Sequence, residues 1–184
     1  NNFMSEEQKR LLEKQRWGVA NVLLGKMNAD EYKNYILGFI FYKYLSEKLE
    51  RYVNEKLLVR EKIKFAEIKE NTKEGKEYLK ATETACVGHL GFFLKPTELF
   101  SYLVKKGKGN IDGQKTFILE DLKNILNSIE QTSMGTASED DFKGLFDDVD
   151  LTSSKLGSSE NKKNDVIVEV LSLLNGIDFK LEDS

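Results

Sequence analysis

The chain has 184 residues, with 28 Lys and Arg against 31 Asp and Glu, one His and a net charge of −3, a length that suits one domain with a real core. Hydrophobic residues make up 40% and charged residues 32%, the balance of a soluble globular protein and not of a disordered one. The most apolar run, Ile36–Tyr42, is far too short to span a bilayer, so no membrane partner is expected.

Asn1-Asn2-Phe3 precede Met4 and read as a tag remnant, with Met4 as the native start and residues 4–184 as one helical domain. No basic stretch followed by an apolar one comes after Met4, which speaks against secretion. The lone cysteine, Cys86, can form no internal disulfide and fits a reducing cytoplasm.

From Ser5 to Lys26, Leu12, Val19, Val22 and Leu23 recur at three-to-four-residue spacing and predict an amphipathic helix. Asn28 with Glu31 three positions on has the form of a capping box opening a second helix to about Lys56. Its apolar stripe (Tyr32, Ile36, Phe39, Ile40, Leu45, Leu49, Tyr52, Val53) widens around Ile36–Phe41, so this helix should cross the centre of the core. Lys43, Lys48 and Arg51 lie among its polar positions and are expected on a solvated face. Two shorter helices should follow, near Val59–Lys69 and Lys73–Val87.

Leu90–Leu94 reads as a short extended stretch, because Lys95 before Pro96 is pushed out of the helical region. Pro96 suits the first turn of a helix over Thr97–Lys105, and Lys105–Asn110 is a basic turn. Further helices are expected over Lys115–Gln131, with Phe117, Ile118, Leu122, Ile125, Leu126 and Ile129 on one side, and over Asp165–Asn175, the last stopped by Gly176 at the C′ position. Ser133–Ser138 reads as a polar loop, Phe142, Leu145 and Phe146 as an aromatic anchor, and Asp147–Asn164 mostly as loop. The expected fold class is therefore all-α, a compact multi-helix domain with long polar loops and at most one short extended segment.

Little in the chain points to chemistry. Cys86 and His89 are the only residues of their types, too few for a structural zinc site. They read as a small buried thiol and a nearby imidazole on one helix end. Gly107-Lys108-Gly109 has Asp112 where a dinucleotide fingerprint wants its third glycine, and reads as a flexible polar turn. The clusters Glu139-Asp140-Asp141 and Asp147-Asp148-Val149-Asp150 lack the alternating spacing and central glycine of a calcium loop and read as solvated. No catalytic, cofactor-binding or metal-ligating residue is assigned. Charge is uneven: residues 1–108 hold 21 Lys and Arg against 15 Asp and Glu, whereas 109–184 hold 7 against 16. A cationic first part suits phosphates and an acidic second part a basic partner.

The segment Asn28-Ala29-Asp30-Glu31-Tyr32-Lys33-Asn34-Tyr35-Ile36-Leu37-Gly38-Phe39-Ile40-Phe41-Tyr42-Lys43-Tyr44-Leu45-Ser46-Glu47-Lys48 closely resembles the N-terminal helical domain of the modification subunits of type I restriction–modification systems. That family has an acidic-Tyr-Lys start, a Leu-Gly-aromatic/Ile centre and a Lys-Tyr-Ile/Leu-Ser finish here. Trp17 with Asn21 and Leu23, Gly91–Pro96 followed by Leu99-Phe100, Phe142–Asp147 with Lys155-Leu156-Gly157, and Leu173–Phe179 match further blocks in the family's order. The resemblance covers almost all of Met4–Ser184.

It implies an accessory domain that precedes an S-adenosylmethionine-dependent adenine-N6 methyltransferase domain. The catalytic Asn-Pro-Pro-aromatic motif cannot lie here, because the single proline, Pro96, sits between Lys95 and Thr97. The resemblance thus places the catalytic domain after Ser184, with the cofactor in the full-length protein and none in this chain. The implied partners are DNA, a second modification subunit, a specificity subunit and, for restriction, a motor-nuclease subunit. If the domain helps to enclose a duplex, Lys105, Lys106, Lys108 and Asn110 are the candidate phosphate contacts, since no helix here looks like a base reader. The alternative is a free-standing helical interaction module without an enzymatic role.

Overall fold

A computed structural model describes residues 29–111, 113, 114 and 116–178. The expected helix Ser5–Lys26 and the Asn28 cap lie outside the described residues. Within them the chain forms six α-helices and no strand, as the all-α expectation requires: α1 (Ala29–Tyr52), α2 (Lys73–Leu90), α3 (Phe100–Gly107), α4 (Leu119–Thr132), α5 (Glu139–Phe142) and α6 (Glu160–Asn175). They fall into two units. The described residues up to Tyr44, Val104–Leu119 and those from Phe146 onward form one, and Leu45–Leu103 with Glu120–Leu145 form the other.

In the first unit, Tyr35, Ile36, Phe39, Ile40 and Tyr42 of α1 are buried, as are Ile118, Leu156 and the α6 residues Val166, Ile167, Val170, Leu171 and Leu174. The widening of the α1 stripe around Ile36 therefore does mark core. Gly38 lies against the segment after Phe146: a Cβ there would come within 2.5 Å of Val149 Cγ2. The Tyr35 hydroxyl donates to the carbonyl of Asp150, fastening the acidic stretch to α1. Lys43 corrects an expectation. It is only 6% exposed, so it does not belong to the solvated face.

The last helix also starts earlier than expected. Ser159 accepts the N–H of Lys162 at 3.2 Å as an N-cap, so α6 begins at Glu160, five residues before Asp165. The polar character of Glu160–Asn164 hides a first turn that the cap stabilises. Gly176 does end the helix, but with φ of −81°, so the left-handed freedom expected of it is not used.

In the second unit, Leu45 and Leu49 of α1, Phe65, Cys86, Phe92–Leu94, Leu99, Phe100, Leu103 and Leu122, Ile125, Leu126 and Ile129 of α4 are buried. The helix expected over Val59–Lys69 does not form. Asn54 Oδ1 accepts the Phe65 N–H at 2.8 Å and Glu67 Oε1 accepts the Lys64 N–H at 2.7 Å. These side-chain bonds leave only a short 3₁₀ turn, Phe65–Glu67, because they satisfy backbone groups that a helix would otherwise pair.

The stretch before α3 is extended as predicted, with Lys95 at φ −75°, ψ 162°. The Phe93 N–H donates to Thr132 Oγ1 at 2.9 Å. Pro96 opens a 3₁₀ turn, Pro96–Glu98, rather than the α-helix itself. The helix waits until Phe100, whose N–H is accepted by the buried Ser46 Oγ at 2.8 Å. A serine from α1 thus serves an orphan donor at the start of α3. Gly91 closes α2 at φ 87°, with its N–H bonded to the carbonyls of Cys86 and Val87. A Cβ there would run into Ser138 Oγ, so position 91 calls for glycine on two counts.

Candidate nucleic-acid interface

The basic turn after α3 is built to a pattern. The Asn110 N–H reaches the carbonyl of Lys105 at 2.8 Å and the Gly109 N–H that of Lys106 at 3.1 Å, with Gly109 at φ 86°. This is a Schellman cap, its left-handed position filled by glycine. The turn expected at Gly107-Lys108-Gly109 is there, and it is the capped end of α3. Gly107 is buried, and a Cβ on it would come within 2.8 Å of Val168 Cγ2 on α6 and 3.3 Å of Ile118 Cδ1.

Of the four candidates, Lys105, Lys108 and Asn110 are exposed and Lys106 is half-buried. Lys105 and Lys108 are three residues apart and so share a face, while Lys106 is turned away from it. Lysines at a helix C-terminus also complement the helix dipole, which by itself accounts for part of their placement.

Sequence reasoning missed a buried residue that shapes this region. Asn164 on α6, 6% exposed, accepts the Ile118 N–H at 2.8 Å and donates to the carbonyl of Thr116 at 3.3 Å. This clamp holds residues 116–118 out of helical conformation, so α4 begins at Leu119 and not at Lys115. Asn164 stands among polar neighbours in the sequence, and no local pattern marks it as buried.

No catalytic arrangement is visible among the described residues. Cys86 is buried in the last turns of α2, and burial pushes its thiol up to about 12, the reverse of an activated nucleophile. The His89 ring stacks on Tyr52 at 4.6 Å, nearly parallel. Among the described residues no three His, Cys, Asp or Glu side chains are grouped so as to hold a metal ion. No helix among them is long and apolar enough to cross a membrane. One cleft of the second unit, about 310 Å³, is lined by Asn127, Glu130, Gln131, Ser133, Met134, Glu139 and Lys143. Two of its carboxylates are engaged with backbone: Glu130 Oε1 accepts the Gly144 N–H and Glu139 Oε1 that of Gly135.

Fold and site together define a helical chain whose surface offers a basic, capped helix end. Its family is explicit in the sequence: the chain belongs to the HsdM N-terminal domains, whose family model matches residues 12–174. It is 33% identical over 178 residues to the type I restriction enzyme MpnII methylase subunit of Mycoplasma pneumoniae, covering 94% of this chain and 31% of that protein. It also matches the crystal structure of the type I restriction-modification system methyltransferase subunit from Streptococcus thermophilus, with a TM-score of 0.68 and 28% identity, over 93% of this chain and 34% of that one. The chain thus spans about a third of the length of these relatives.

Proposed function

We propose that this chain is the accessory N-terminal domain of a cytoplasmic type I modification subunit and works by contacting DNA and neighbouring subunits. The full-length protein would transfer a methyl group from S-adenosylmethionine to N6 of adenine in DNA, paired with a second modification subunit and a specificity subunit and joined by a restriction subunit for cleavage. What carries the reading is membership of the HsdM N-terminal family over residues 12–174, with both relatives being methylase or methyltransferase subunits. The 184-residue chain itself holds no cofactor in this reading.

The DNA contact falls on the capped end of α3. Lys105 and Lys108, with Lys106 and Asn110 beside them, would meet phosphates, which position a protein without reading sequence. With so few contacts and a net charge of −3, the isolated chain should bind DNA no tighter than roughly 10⁻⁴ to 10⁻⁶ M.

Two measurements test this. Calorimetric titration of the 184-residue chain with S-adenosylmethionine should show no binding, while the full-length subunit with its specificity subunit should methylate adenine. Micromolar cofactor binding by the isolated chain, or no methyl transfer by the complex, overturns the assignment. In the complex, Lys105→Gln with Lys106→Gln and Lys108→Gln should flatten the dependence of log K on log salt, by about 0.9 for each phosphate no longer neutralised, equally on all sequences. An unchanged slope removes this turn from the DNA path.

A further inference from the structure

The loop after α3 leaves and returns to one place. A Cβ on Gly107 would lie 3.3 Å from Ile118 Cδ1, so the last residue of α3 packs against the residue that precedes α4. Ile118 points inward, 0% exposed, yet Phe117 beside it is 55% exposed and Ile111 at the loop's other end 40%. Phe117 is flanked by bonded backbone groups. Its neighbours on either side are bonded to the buried Asn164, through the Thr116 carbonyl and the Ile118 N–H. A core amide therefore holds an aromatic ring in water, on the loop that follows Lys105 and Lys108.

We propose that Phe117, with Ile111, is the apolar contact of this loop and seats against sugar and base edges in the minor groove of duplex DNA, while Lys105 and Lys108 hold flanking phosphates. The proposal rests on reading the basic cap as a DNA contact. Lys105, Lys106 and Lys108 cluster at the end of α3, with Asp112 as the first acid after them, so the cap itself suits a polyanion, and the Gly107–Ile118 contact brings it next to the Phe117 backbone. Duplex DNA offers phosphate charge together with apolar sugar and base edges. Proteins that enter its minor groove combine basic side chains with inserted Phe or Ile.

The test uses the full-length subunit in its complex and a fluorescent duplex, with affinity followed by anisotropy across a salt series. Phe117→Ala should weaken binding by roughly fivefold or more at every salt concentration, the range expected when an aromatic ring is removed from a base, without changing the slope. Lys105→Gln with Lys108→Gln should instead flatten the slope. Phe117→p-benzoylphenylalanine keeps a large aromatic ring in place, and on irradiation should cross-link to a DNA strand. Native affinity in Phe117→Ala beside a flattened slope in the lysine pair overturns the role of Phe117 alone and leaves the basic cap standing. An unchanged slope in the lysine pair overturns both. Cross-links confined to protein subunits assign the ring to a subunit contact and overturn the proposal.

Discussion

Gly38, in the middle of α1, sits so close to Val149 that a Cβ on it would lie 2.5 Å from Val149 Cγ2. The Leu37-Gly38-Phe39 centre of the most distinctive segment in the chain thus has a packing reason: only a residue without a side chain lets that loop approach the helix.

Gly38→Ala should therefore destabilise the protein. Replacing glycine within a helix is worth roughly 1 kcal/mol in propensity, but overpacking against Val149 costs about 1–3 kcal/mol. A net loss is expected in urea unfolding, and Val149→Ala in the same chain should restore stability beyond the sum of the single changes. Additive effects would mean that the two residues are not coupled.

Phe39 is fully buried, at 0% exposure. Phe39→Ala should cost on the order of 3–5 kcal/mol, read from the urea midpoint. A loss below about 1 kcal/mol would show that this face of α1 is not packed.

Asn164→Ala strands the Ile118 N–H and the Thr116 carbonyl, which Asn164 now satisfies. Each buried group left without a partner costs about 1–3 kcal/mol. The loss should appear both as lower global stability and as faster hydrogen exchange at the Ile118 amide. An equally protected amide in the variant would show that another group takes up the bond.

Cys86 makes stability fall with alkali. Its thiol is raised by burial from 9.0 to about 12, so the unfolded chain loses this proton before the folded one does. The contribution is complete below pH 9.0 and is lost as pH rises through about 12. Cys86→Ala should remove this part of the alkaline slope, and native Cys86 should react with thiol reagents only after denaturation at about pH 8. Rapid labelling of the native protein would contradict its burial.

Much of this protein follows from the sequence alone. The apolar stripe of α1, the extended Lys95 before Pro96 and the amphipathic run Leu122–Ile129 are local patterns, and the spacing of apolar residues reports which face is buried whatever the partner. The family is legible for the same reason, since ordered blocks of residues survive in sequence without reference to contacts.

What tertiary structure decided are the places where a distant side chain takes a backbone bond. Asn54 replaces a helix over Val59–Lys69 by a short turn, Ser46 sets the start of α3 at Phe100, and Asn164 sets the start of α4 at Leu119. Lys43 is buried although its type predicts a solvated face, and Phe117 is exposed although its type predicts core. In each case the partner lies far along the chain or the environment is made by several segments at once, so no local window contains the information. The candidate interface divides the same way: its lysines and the glycine of the cap that ends α3 lie within one local window, whereas the clamp beside Phe117 exists only once Asn164 of α6 has packed against residues 116–118.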